Sequence, residues 1–181
     1  MATRRITDDE GHAHFLTFSC YHPRRRLDAP QAKRVVLGVL RSQLALQNGQ
    51  CAGFVGMPNH VHAIVWFPAP DELSHFMKQW KQRSSVQIKR LTDAQHPEYT
   101  QTFERQEPVW QPGYYDFILW SDSKLAEKLT YMHQNPVRAG LAQNSCDWPW
   151  SSARYYEQGR SVGVPVGWLD RPDSSTSGDP E

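Results

Sequence analysis

This chain of 181 residues predicts an α+β fold: one antiparallel sheet with helices packed on a face. Three observations carry the prediction. Short runs rich in aromatic and β-branched residues read as strands, longer segments with apolar residues at helical spacing separate them, and a two-residue connection joins two of the runs. "HFLTFSCY" (14–21), closed by the turn-like "HPRRR", is the first strand. Residues 29–47 place Ala32, Val35, Val36, Val39, Leu40 and Leu44 on one helical face, and Asn48-Gly49 ends that helix. "CAGFVGM" (51–57) and "HVHAIVWF" (60–67) flank Pro58-Asn59, which suits the centre of a tight turn, so they form an antiparallel pair.

From Asp71 to Leu91, Leu73, Phe76, Met77, Trp80 and Ile88 mark a second helix with basic residues on its other side. A polar stretch with Pro97 and Pro108 leads to "VWQPGYYDFILW" (109–120), a strand interrupted at Pro112-Gly113. Asp122 or Ser123 can cap a third helix over about Lys124–Gln134, which Pro136 is expected to stop. The Trp-rich residues 137–169 are expected to pack irregularly on the core surface, and the polar "RPDSSTSGDPE" to form a disordered tail. The order strand, helix, strand, strand, helix, strand, helix matches the split βαβ, ferredoxin-like (RRM-like) arrangement. One domain over residues 1–170 and a tail over 171–181 follow.

Composition narrows the function classes. No stretch near Met1 has the apolar core of a signal peptide, and no apolar run can span a bilayer, so a cytoplasmic protein is expected. Cys20, Cys51 and Cys146 lie far apart, without zinc-type spacing, and are expected to be reduced and structural. With 20 Lys+Arg against 19 Asp+Glu, the distribution of charge says more than its sum. Arg24, Arg25 and Arg26 form one basic cluster, and Lys78, Lys81, Arg83, Lys89 and Arg90 a second along the second helix. Each is a candidate for phosphate contact or a solvated face.

"MPNHVHAIVWF" (57–67) sets two imidazoles inside an apolar strand. Alternation puts His60 and His62 on one face, a ready pair of ligands for a divalent metal, or a pair of satisfied polar residues at a strand end. No neighbouring cysteine or third histidine completes a zinc site, and the three alternating histidines of histidine-triad hydrolases are missing, which favours Mg²⁺ or Mn²⁺. In "KLTYMHQNPVRAGL" (128–141), helical spacing aligns Lys124, Lys128, Tyr131 and Asn135 on a stripe beside the apolar Leu125, Leu129 and Met132.

"PNHVHAIV", "YMHQNPVRAGL" and "DWPWSSARYY" (147–156) together resemble the single-tyrosine (HUH) transposases of the IS200/IS605-like family, above all their REP-associated branch, over residues 12–160. The resemblance implies metal-dependent cutting and joining of single-stranded DNA near imperfect hairpins, the REP-like palindromes. It makes Tyr131 the nucleophile, His60 and His62 the metal pair, and Asn135 the third ligand. It implies a covalent 5′-phosphotyrosine, a free 3′-OH, and a monomer or homodimer associated with the nucleoid when acting on DNA. Lys128 joins the basic clusters as a phosphate contact, and Tyr114, Tyr115 and Trp120 can stack on unpaired bases. Two other readings share these residues: a hairpin-DNA-binding protein that no longer cuts, and a metal-dependent phosphoesterase acting on small substrates.

Overall fold

The computed structural model describes residues 11–22, 24–95, 106–160 and 162–167. Four strands, β1 (Ala13–Ser19), β2 (Gln50–Gly56), β3 (His60–Trp66) and β4 (Tyr115–Leu119), form one sheet in the order β2-β3-β1-β4 with every neighbouring pair antiparallel. The helices are α1 (Pro30–Leu46), α2 (Glu72–Gln95), α3 (Asp122–His133), α4 (Asn135–Arg138) and α5 (Ala153–Gln158). The predicted interruption before β4 is present: Gly113 takes a positive φ of 72°, and Trp110 bridges Cys20 ahead of it. The expected tail at 171–181 and most of the polar stretch before Pro108 lie outside the described residues.

Strand alternation divides the apolar residues between two cores. On one face Val61, Ala63 and Val65 of β3 and Leu16 and Phe18 of β1 pack with Val36 and Leu40 of α1 and Phe76, Met77 and Trp80 of α2. On the other, Phe15, Val55, Ile64 and Leu119 pack with Leu125, Leu129 and Met132 of α3. Thus α1 and α2 cover one face as expected, and α3 crosses the opposite one, where His60 and His62 point.

Two expectations about α3 are corrected. Its cap is Ser121, whose hydroxyl accepts the Lys124 N–H at 3.3 Å, one position before the residues the sequence suggested. Pro136 does not stop the helical path. Gln134 keeps helical angles (φ −81°, ψ −10°) and α4 continues with Pro136 in its first turn, where the missing N–H has no helical partner to lose.

The approach of α3 to the sheet depends on Gly53. A bulge between Cys51 and Gly53 shifts the β2–β3 register there. A Cβ on Gly53 would overlap Met132 Cε and Leu129 Cδ2 and stand 3.0 Å from Ser152 Oγ. The outer edge of β2 is itself covered: Gly56 N–H donates to Trp150 O (2.7 Å), Ser152 N–H donates to Phe54 O (3.0 Å), and Val55 bridges Ser151. The "WPWSS" run, expected to be irregular, therefore extends the sheet by three residues and hides its edge.

Gly53→Ala is expected to lower stability by about 1–3 kcal/mol, several degrees of Tm, because the Met132 and Leu129 side chains that seat α3 must give way. Gly56→Ala should be near neutral, since its Cβ would lie 3.7 Å from Trp150, an ordinary contact. Thermal melts of both variants check the pair; equal losses would show that the α3 approach is not what Gly53 serves.

Candidate active site

The face under α3 gathers a compact group. His60 and His62 project from β3 with ring centroids 4.8 Å apart. Thr17 lies directly across from His62 on β1 and meets its Nδ1 at 2.7 Å. Asn59 Oδ1 sits 2.8 Å from His60 Nδ1. An amide oxygen only accepts, so His60 carries its proton on Nδ1 and leaves the Nε2 lone pair available. With Nδ1–H of His62 donating to Thr17 Oγ1, His62 reaches the same state, an arrangement that orients and strengthens a ligating imidazole. Burial holds both histidines below their ordinary pKa, His62 down to about 3 with the neighbouring His60 adding to the effect. At neutral pH both rings are uncharged, the form that binds a cation.

Tyr131 reaches this group from α3. Its ring centroid lies 6.0 Å from that of His62 and 6.1 Å from Phe15, edge-on to both, and 41% of the residue stays exposed. Two cations flank it. Lys128 Nζ lies 5.7 Å from the Tyr131 centroid and 4.7 Å from that of Phe117. The Arg138 guanidinium carbon lies 4.8 Å from the Tyr131 ring, and Nη2 donates to the Tyr131 carbonyl at 3.3 Å. Asn135 begins α4, and its Nδ2 is buried without a hydrogen-bond partner among the described residues. An amide left in that state calls for a partner the protein does not supply.

The structure thus brings together His60, His62, Tyr131 and Lys128. The basic clusters lie elsewhere. Arg24 and Arg26 both pair with Glu107 (3.2 and 3.3 Å), and Arg25 forks onto Asp28 through two bonds of 2.8 Å. Lys81, offered as a phosphate contact, donates to the carbonyls of Gln111 (2.7 Å) and Gly113, and burial lowers its pKa. It secures the turn before β4. Arg83 donates to Gln79 at 3.1 Å, and Lys78 and Arg90 are exposed. They and Lys89 ride on α2, across the sheet from Tyr131. Of the aromatic candidates, Tyr115 pairs with Thr17 and so shares the face of the histidines, with its side chain exposed; Tyr114, just before β4, and Trp120, just after it, are exposed too.

Sequence reasoning passed over Thr17, Asn59, His133 and Arg138. Asn59 and Arg138 had a local signal, since one adjoins His60 and the other follows Tyr131 by about two turns. Thr17 and His133 are recognisable only through partners distant in sequence. His133 Nε2 meets Ser152 Oγ at 2.7 Å, and the same hydroxyl accepts the Phe54 N–H at 2.9 Å, which fastens α3 to the edge of β2.

Comparison with known proteins follows the same lines. The model of the family described as "Transposase IS200 like" matches residues 9–135, a span that includes His60, His62, Tyr131 and Asn135. The chain belongs to the IS200-like transposase family. A Haemophilus influenzae protein named as a REP-associated tyrosine transposase is 23% identical over 128 residues, 68% of each chain. Among solved structures, a REP-associated tyrosine transposase bound to a REP hairpin superposes with a TM-score of 0.69 at 21% identity, covering 97% of this chain and 95% of its own. A transposase structure from Deinococcus radiodurans gives 0.50 at 14% identity over 74% of this chain and 95% of its own. These likenesses support the fold of this IS200-like transposase. No described helix is long and apolar enough to cross a membrane.

Burial also holds His133 low, to about 4, against an ordinary value of 6.5. A histidine whose folded pKa is depressed binds fewer protons than in the unfolded chain between those two values, so stability falls as pH drops from about 6.5 towards 4. The protein should therefore melt at lower temperature at pH 5 than at pH 7. His133→Gln should lower Tm at pH 7 and narrow that difference. An unchanged difference in the variant would show that His133 is not held neutral in the fold.

Proposed function

We propose that this IS200-like transposase cuts and rejoins single-stranded DNA beside imperfect hairpins, with the Tyr131 hydroxyl as nucleophile and a divalent cation held by His60, His62 and Asn135. The observation that carries the reading is the placement of a half-exposed phenol next to two neutral imidazoles whose Nδ1 atoms are already occupied. The solved structure of a protein with this fold bound to a REP hairpin supports the choice of DNA.

The residues fit such an ion. Two Nε2 lone pairs face one side of the sheet, and Asn135, whose Nδ2 is buried without a partner among the described residues, would turn its carbonyl oxygen to the ion as a neutral third ligand. Bound there, Mg²⁺ or Mn²⁺ would neutralise charge on the scissile phosphate. The phenol attacks phosphorus in line; the new bond joins Tyr131 Oη to the 5′ phosphate and the bond to the 3′ oxygen breaks. The phenolic proton passes to solvent, and the departing oxygen takes one up as a 3′-OH. A 3′-OH from another strand reverses the step and frees Tyr131, so the chemistry ends in transfer rather than hydrolysis. Arg138 acts as a positioning residue, holding the ring and backbone of Tyr131. Lys128, steadied by Phe117 and Phe15, supplies a cation for a neighbouring phosphate.

Tyr131→Phe should abolish covalent capture and cleavage while hairpin affinity stays within a few-fold. His60→Ala, His62→Ala and EDTA should each remove activity that Mg²⁺ or Mn²⁺ restores to the wild type only. Undiminished cutting by Tyr131→Phe would refute the nucleophile, and full activity in EDTA would refute the metal.

The supporting groups give a finer test. Thr17→Val, which keeps shape but loses the bond to His62, should raise the metal concentration for half-maximal cleavage by about tenfold or more. Arg138→Ala should slow cleavage at saturating DNA by about fivefold, with Arg138→Lys recovering part of the loss. Variants that alter only Tm would reduce both residues to scaffold.

A further inference from the structure

Away from the Tyr131 face, a cleft opens on the outer side of α1. Arg34, Gly38 and Arg41 form its floor and rim, Trp150 one wall, and Val162 and Val164 the other. Spacing of four and three residues puts the two arginines on the same stripe as the glycine, one turn to either side.

Gly38 is the first clue. It lies inside a helix of 17 residues, its φ is not in the left-handed range, and a Cβ there would meet nothing within 4 Å. Neither backbone conformation nor packing asks for the poorest helix former after proline. What the missing side chain does is leave the floor open between two guanidiniums.

Charge is the second. The Arg34 guanidinium carbon lies 5.8 Å from the Trp150 ring centroid, and Arg41 Nη1 makes one long bond, 3.4 Å, to Gly163 O. Among the described residues neither arginine has a carboxylate partner, unlike Arg24, Arg25 and Arg26. Trp150 is fixed in place, because its carbonyl accepts the Gly56 N–H at the edge of β2.

A simple anion has no use for an indole and two valines, and an apolar peptide has no use for two unneutralised guanidiniums. A nucleotide has both a flat apolar face and a phosphate. We propose that this cleft holds one unpaired nucleotide of a single DNA strand, its base against Trp150 and its phosphate on Arg41 and Arg34. The proposal rests on the reading of the protein as one that works on single-stranded DNA. It adds a second anchoring point on the face opposite the chemistry, built on the same β2 that leads into His60.

The test uses the full chain, EDTA and a ten-nucleotide strand containing 2-aminopurine, so that binding is read without cleavage. Wild-type protein should change the probe fluorescence through stacking. Gly38→Leu, which fills the cleft, and Arg41→Ala should each weaken binding about tenfold. The double variant Arg34→Ala, Arg41→Ala should reduce the salt slope by about 0.7, the value for one phosphate contact on a single strand. Circular dichroism should show all of them folded, and covalent capture at saturating DNA with Mn²⁺ should stay at the wild-type level. Affinities within twofold of wild type in Gly38→Leu and Arg41→Ala, or no binding by the wild type, would overturn the proposal. So would a change in sedimentation of Gly38→Leu with DNA affinity intact, which would make the cleft a protein contact. Cleft-dependent binding without any covalent capture would refute the proposed cutting activity and leave the cleft standing; capture without cleft dependence would do the reverse.

Discussion

The contact between α3 and β2 over Gly53 is the constraint on which the rest of the site depends. The imidazoles belong to β3 and the phenol to a helix encoded far downstream, and only the docking of that helix brings them within one ring's reach. Met132 and Leu129 can seat against the sheet because residue 53 has no side chain. His133, Ser152 and the Phe54 backbone then fasten the helix in rotation as well as in height. Successive helical residues differ by about 100°, so with Met132 directed into the core, Tyr131 is turned to the flank where Phe15 and His62 lie. Docking and aim are one event.

Register does for the histidines what docking does for the tyrosine. With β3 paired so that His62 opposes Thr17 and His60 opposes Ser19, both rings share the α3 face, and β1 supplies the hydroxyl that orients one of them. A slip by a single residue would turn both imidazoles into the core under α1 and α2, where Val61, Ala63 and Val65 now pack. The buried apolar set therefore holds the chemistry in place, since any register that satisfies the core also presents the histidines. The same burial keeps them neutral.

Much of this was legible in the sequence, and the parts that were not share a cause. Periodicity located the strands and the main helices, and alternation alone put His60 and His62 together. Of the stripe drawn through Lys124, Lys128, Tyr131 and Asn135, Lys128 and Tyr131 meet, while Lys124 pairs with Glu127 and Asn135 opens the following helix. What escaped is set by contacts between distant segments. Nothing in "CAGFVGM" says that a helix will press on Gly53, and nothing in "WPWSS" says that its backbone will extend a sheet. Pro136 read as a stop because proline cannot continue an established helix, yet it fits the first turn of the short helix that follows. Lys81 read as a free cation because sequence gives charge but not the carbonyls of Gln111 and Gly113 that engage it.

The central claim is that the fold aims one phenol at a phosphate held by the histidine face. Mass spectrometry of proteolysed protein after reaction with a hairpin-bearing single strand and Mn²⁺ tests it most directly. The account predicts a phosphodeoxynucleotide on the peptide containing Tyr131 and on no other. Cleaved DNA with no attached peptide, or attachment at Tyr114 or Tyr115, would contradict it.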